Sequence, residues 1–212
     1  MELPRGGFWR NWVGNQSCVA AHLASPTSEA EIAELVCTAT RQGKHVRCSG
    51  SGHSFTPIVA TSGLLLSLQD YQGIVDVDEA RKRVTVKAGT KLNAVTRHLK
   101  EIGLSLVNQG DIDSQAIAGA FATGTHGTGT TLSNLSSPCS GGPNGVDYWP
   151  FLKDVDDILR DYDSRPHWGK LHFTNREDVD RWFPKAEAFR ALRRSVDPEG
   201  YFLNDHLRTL FS

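Results

Sequence analysis

The strongest constraint on the fold lies between Val19 and Phe55, where hydrophobic spacing passes from strand to helix to strand and then stops at a glycine-rich loop. Val19 to Ala24 reads as a short strand. Ser25-Pro26-Thr27-Ser28-Glu29 supplies a cap, an early proline and an acidic first turn, so a helix follows. Ile32, Leu35, Val36 and Ala39 recur at helical spacing until Gly43, a natural C-terminal stop, and His45 to Cys48 then runs as a buried strand. This opening delivers the chain into Arg47-Cys48-Ser49-Gly50-Ser51-Gly52-His53-Ser54-Phe55.

Further along, Gly63 to Leu68 gives another buried strand. Val75 and Val77 alternate with Asp76 and Asp78 before a charged turn leading to Val84 and Val86, which predicts a half-exposed hairpin. Leu92, Val95, Leu99 and Ile102 mark one face of a second helix that ends at Gly103. Ser114 to Ala122 is rich in small residues and is read as the start of a further helix. Thr123 to Gly129 is too glycine-rich to continue it, and Ser136 to Gly145 is a Ser/Pro/Gly-rich linker. Beyond the linker, Phe151, Leu152, Val155, Ile158 and Leu159 predict a helix, and Arg190 to Arg194 ends a later one before Asp197-Pro198-Glu199-Gly200. The expected fold class is α+β: two small sheets with flanking helices and a C-terminal helical segment packing back on them.

Charge narrows the partners. Lys plus Arg number 23 against 24 for Asp plus Glu, so no large positive field points to nucleic acid, and a small neutral or polar ligand is expected. Cys18, Cys37, Cys48 and Cys139 are widely spaced with no CxxC pairing, which argues against a zinc site or a disulfide framework and fits a reducing cytoplasm. No metal is expected. The first residues lack the apolar stretch of a signal peptide and no segment reads as membrane-spanning, while peripheral membrane association stays open.

Two clusters carry chemistry. In the first, Gly50 and Gly52 permit close backbone approach and positive φ, so successive N–H groups can point at an anion, with the Ser51 and Ser54 hydroxyls as added donors. A pyrophosphate suits such a nest, although a tight turn carrying a surface histidine would use the same residues. The loop is neither a P-loop, since no Gly-Lys-Ser/Thr follows, nor a Rossmann opening, which would run straight into a helix. The second cluster runs from Asn108-Gln109-Gly110 through Ser114, Ile117 and Gly119 to Thr123-Gly124-Thr125-His126-Gly127. Helical N–H groups starting near Ser114 would face the same phosphates, and Ala118, Gly119 and Ala122 leave room for a flat cofactor. A tightly packed helix followed by a loop is the alternative. Two glycine and hydroxyl clusters without net basic charge are better explained together, by one large phosphate-bearing cofactor.

The Gly-Ser-Gly-His-Ser loop followed by Ala-Thr-Gly-Thr-His-Gly resembles the flavoenzymes of the vanillyl-alcohol oxidase and p-cresol methylhydroxylase family, and within it the gulono- and arabinono-lactone oxidases and alditol oxidases. Arg165-Pro166-His167-Trp168-Gly169-Lys170 and Asp197-Pro198-Glu199-Gly200-Tyr201-Phe202-Leu203-Asn204 are similar to the C-terminal segment of the same enzymes. The resemblance implies an FAD-binding domain of the p-cresol methylhydroxylase type over 1–135, a linker over 136–147 and the C-terminal segment of the family over 148–212. It implies that Gly50, Ser51, Gly52, His53 and Ser54 hold the FAD pyrophosphate beside Arg47, with the flavin attached covalently to His53. Gln109, Gly110, Ser114, Ile117, Gly119, Thr123, Gly124, Thr125 and His126 would line the rest of the site. His167 and Lys170 would lie near the isoalloxazine, where a cation stabilises the charge of reduced flavin, though Trp168 and its neighbour also suit surface packing. His22, His45, His98, His172 and His206 receive no role.

The implied activity is oxidation of a polyol or aldonolactone hydroxyl, with dioxygen as the electron acceptor and hydrogen peroxide as product. Against the family pattern, the interval from Thr130 to Ser164 is too short to contain a substrate-covering domain or its Glu and Arg pair, and Glu187 and Arg165 lack motif support as replacements. The other functional class is therefore an FAD-binding module that does not oxidise a substrate.

Overall fold

The computed structural model describes residues 2–106, 109–125, 149–162 and 165–212. Three small sheets are present among them, where the sequence predicts two. The additional one is an antiparallel hairpin of β1 (Gly7–Arg10) and β2 (Ser17–Ala20), with Phe8 opposite Val19. The expected strand over Val19 to Ala24 is split at Ala21, after which β3 (His22–Ala24) continues. Its cause is a change of partner: β2 pairs with β1, whereas the N–H groups of Ala21 and His22 donate to Ser62 and Gly63 carbonyls at the mouth of another sheet.

That sheet is parallel, in the order β3, β5 (Leu64–Ser67), β4 (Val46–Ser49). Leu64, Leu65 and Leu66 on the central strand are each fully buried, as expected for a parallel strand covered on both faces. Helix α1 (Glu29–Arg41) covers one face with Leu35 and Ala39, packing on Val46, Leu64 and Leu66. Its Ser28 cap accepts from the Glu31 N–H, and Gly43 in the left-handed region lets Lys44 N–H close back on the Ala39 carbonyl.

The hairpin β6 (Ile74–Asp78) and β7 (Arg83–Val86) forms the third sheet. A register shift between Ile74 and Asp76 breaks the predicted alternation and leaves Val75 62% exposed. Its Val84 and Val86 pack on α2 (Leu92–Glu101) and on a short helix α3 (Ile117–Ala122), around Leu92, Val95, Leu99, Ile117 and Ala120. Gly103, again left-handed, ends α2 by turning Leu104 N–H onto the Leu99 carbonyl. The helix expected from Ser114 begins three residues later. Lys91 and Ala116 form an isolated β-bridge, and this extended backbone delays the first helical turn.

Helices α4 (Trp149–Arg160), α5 (Arg176–Trp182), α6 (Ala186–Val196) and α7 (Asp205–Phe211) complete the chain. Val179, Ala186 and Leu210 form their core, flanked by Trp168, Phe183 and Phe211. Arg160 makes a two-pronged ion pair with buried Asp178 at 2.7 and 3.0 Å, and Asp178 also completes the capping box of α5 with Asn175. The segment packs back as expected. Val46 N–H donates to Tyr201, Asn204 Nδ2 to the Pro57 and Ala60 carbonyls, and Thr56 Oγ1 to Trp168.

Candidate functional site

Residues 49–54 leave the C-terminal end of β4 and meet the extended stretch before α3. Between them opens a cleft of about 280 Å³. Gly50 sits where a Cβ would come within 3.0 Å of the Ala116 Cβ, and Gly52 has φ +70, so both glycines are needed for this approach. Asn11, which is 4% exposed, fixes the loop from the other side by donating through Nδ2 to the Ser54 carbonyl at 2.9 Å. Trp12 N–H donates to Gly52, and the Asn15 and Gln16 side chains both donate to the Phe55 carbonyl. The β1–β2 connection therefore holds the loop. Among the described residues, the backbone N–H groups of Ser51, Gly52, His53 and Ser54 have no backbone acceptor.

His53 is half-buried. Its Nε2 lies 3.1 Å from Ser114 Oγ, and its ring is 5.2 Å from that of Trp12. Burial, followed by the positive charges of Lys91 and Lys170, pushes its pKa below the usual histidine value, which favours the neutral imidazole. Lys170 caps the Phe55 ring at 4.8 Å, and Gly169 accepts the Phe55 N–H at 2.7 Å. His167 accepts the Gly169 N–H on Nδ1. These contacts bring the C-terminal motif against the loop that carries His53.

Of the residues singled out from sequence, Arg47, Gly50, Ser51, Gly52, His53, Ser54, Gly119 and Thr123 line the cleft, and Ser114 touches it through His53. Arg47 has a different use from anion binding: its guanidinium donates to the carbonyls of Ile58 and Phe202 and so ties β4 to the C-terminal segment. Ile117 is 5% exposed and belongs to the α2–α3 core, not to the cleft wall. The N–H groups of Ile117 and Ala118 donate to the Thr90 and Ala88 carbonyls, so the first two of the expected helical donors for phosphate are occupied. Gln109 and Gly110 are not among the residues lining the cleft. Gly124 is exposed and left-handed, Thr125 Oγ1 sits 3.4 Å from Thr123 Oγ1, and His126 lies outside the described residues, as do Cys139 and the expected linker.

Residues 20–139, more than half of the chain, match the sequence model of the FAD-binding domain family. The chain belongs to the FAD-binding domain family. Residues 141–210 match the model described as D-arabinono-1,4-lactone oxidase. The chain is 46% identical over 130 residues to an L-gulono-1,4-lactone dehydrogenase of Mycobacterium tuberculosis, covering 61% of this chain and 30% of that protein. It is 34% identical over 124 residues to a D-arabinono-1,4-lactone oxidase of Kluyveromyces lactis, covering 57% of this chain and 24% of that one. The chain thus spans less than a third of the length of these curated relatives. Among solved structures, a solvent-stable cholesterol oxidase superposes with a TM-score of 0.50 at 20% identity, over 66% of this chain and 27% of that one, which is a likeness of fold.

The cleft suits FAD, the cofactor of the family. Among the described residues the N–H donors at 51–54 lack a backbone acceptor, a pattern compatible with an anion, and a Cβ at Gly119 on α3 would meet nothing within 4 Å. The buried Oε1 of Gln115 on the cleft wall has no partner among the described residues and fits a ligand O–H or N–H. Gln115, Lys91, Asn11 and Trp12 went unassigned in the sequence reading. Gln115 stood inside a recognised cluster, whereas Lys91, Asn11 and Trp12 lie outside both.

Proposed function

We propose that this chain is the FAD-binding part of an oxidoreductase that acts on a CH–OH group of a sugar-1,4-lactone or alditol, with FAD attached covalently through His53. The observation that carries the reading is His53, half-buried with its Nε2 3.1 Å from Ser114 Oγ, on a glycine loop whose N–H groups lack backbone acceptors among the described residues. Bound there, FAD would accept a hydride at N5 from the substrate carbon and return the electrons to dioxygen, giving hydrogen peroxide. The chain's own contribution is to hold the cofactor, keep His53 unprotonated and therefore nucleophilic, and present Lys170 and His167 from the C-terminal segment beside it. We assign 1–135 to FAD binding and 148–212 to the family's C-terminal segment, joined through 136–147.

A second reading, an FAD-binding module without substrate oxidation, is favoured by one observation. The cleft, at about 280 Å³, lies at the lower edge of the range for small-molecule sites and is open, whereas hydride transfer needs water excluded from the ring. The experiment is acid denaturation of purified chain followed by measurement of flavin fluorescence on the polypeptide, with His53→Ala alongside. Flavin that stays with the wild-type chain and leaves the variant supports attachment at His53. Peroxide production from arabinono-, gulonolactone or xylitol then separates oxidase from module. A wild-type chain that takes up no FAD refutes both readings.

A further inference from the structure

The Ser51 hydroxyl, expected from sequence to donate to a phosphate, is already committed. Its Oγ donates to the Ser114 carbonyl at 2.8 Å and accepts from Lys91 Nζ at 2.7 Å. An oxygen with its single proton used in this way cannot donate to an anion; it orients an ammonium group instead. Lys91 is well placed for that. It immediately precedes α2, its backbone is bridged to Ala116, and its side chain reaches across to the glycine loop. The two clusters recognised in the sequence meet at this lysine.

Among the described residues, Lys91 forms no ion pair with a carboxylate. Burial holds its pKa below the usual lysine value. Lys91 is not itself among the residues lining the cleft but meets one of them, Ser51, through its hydroxyl, and with Lys170 also acting on His53 it gives this loop positive charge in a chain of net charge −1.

We propose that Lys91 is the cation that binds the negatively charged pyrophosphate at this loop and so selects dinucleotide flavin over flavin without phosphate. The inference rests on the FAD reading above. Its test uses chain produced in a riboflavin auxotroph under limiting riboflavin, purified without flavin and titrated with ADP, adenosine, FAD and riboflavin. ADP carries the pyrophosphate without the ring, so attachment at His53 does not enter that measurement. Lys91→Met should weaken ADP and acid-releasable FAD binding by roughly 10- to 100-fold, the effect of removing a charge-assisted hydrogen bond, while leaving riboflavin and adenosine unchanged. The residual ADP binding should also become less sensitive to salt, and Lys91→Arg should restore most of the affinity. Circular dichroism and the melting temperature check that the variants fold. Equal FAD affinity with and without Lys91 overturns the inference and leaves the flavin reading standing. An equal loss for riboflavin also overturns it, since a general collapse of the cleft has no dependence on phosphate. A wild-type chain that binds neither ADP nor FAD overturns both.

Discussion

Gly119 separates stability from cofactor binding in a single position. It lies in the short helix α3, has no positive φ, and a Cβ built on it meets nothing within 4 Å. Glycine there has no local backbone justification. Alanine should stabilise the helix by roughly 0.5–1 kcal/mol, because it loses less backbone entropy on folding. For a domain of this size that corresponds to a rise of about 1–4 °C in the melting temperature. Gly119 is also among the residues lining the cleft of about 280 Å³, so Gly119→Leu adds four carbons to the wall assigned to the flavin. We expect Gly119→Ala to melt higher and to retain FAD, and Gly119→Leu to remain folded while its FAD content falls at least about ten-fold, the consequence of an unrelieved clash of one to a few kcal/mol. Differential scanning fluorimetry of flavin-free protein and the flavin-to-protein absorbance ratio are the assays. A Gly119→Leu chain that binds FAD as the wild type does would refute placement of the ring against α3.

Three other outcomes follow from the packing. Asn11→Ala removes the side chain that joins Ser54, Asn15 and the Gln16 N–H, and should cost about 1–3 kcal/mol in urea denaturation while lowering FAD content, because the loop loses its outer support. Arg160→Ala leaves Asp178, 7% exposed in its side chain, without its two-pronged partner and should destabilise the chain by roughly 3 kcal/mol, read from the shift in urea midpoint. His172, pushed down to about 4 first by burial and then by the charge of His206, resists protonation when folded, whereas the unfolded chain takes up the proton near pH 6.5. Its contribution is complete above pH 6.5 and disappears as pH falls to about 4, on the order of 3 kcal/mol, so melting temperature should drop across that window and the drop should shrink in His172→Gln.

Local signals in the sequence carried much of the secondary structure. The Ser28 cap, the helical spacing of Leu35 and Ala39, and Gly43 locate α1 because each acts within one or two turns of backbone. Leu64 to Leu66 announce a strand buried on both faces by their apolar run alone. The glycine loop was legible for a similar reason, since Gly52 needs a backbone conformation that few other residues adopt. The β1–β2 hairpin was not, because Gly7 to Arg10 is too short for a period to emerge and is held as a strand by its partner.

What each side chain does at the cleft belongs to the tertiary structure. Arg47 and Lys91 are both cations close to the loop in space, yet Arg47 is turned onto the Ile58 and Phe202 carbonyls while Lys91, 40 residues beyond Ser51, meets its hydroxyl. Ile117 sits between small residues in the chain but faces the α2 core in space. Residue type and spacing determined that a strand–helix–strand unit ends in a glycine-rich loop. How the groups around that loop are partnered depended on segments far apart in sequence, because hydrogen bonds are shared out only once those segments are brought together.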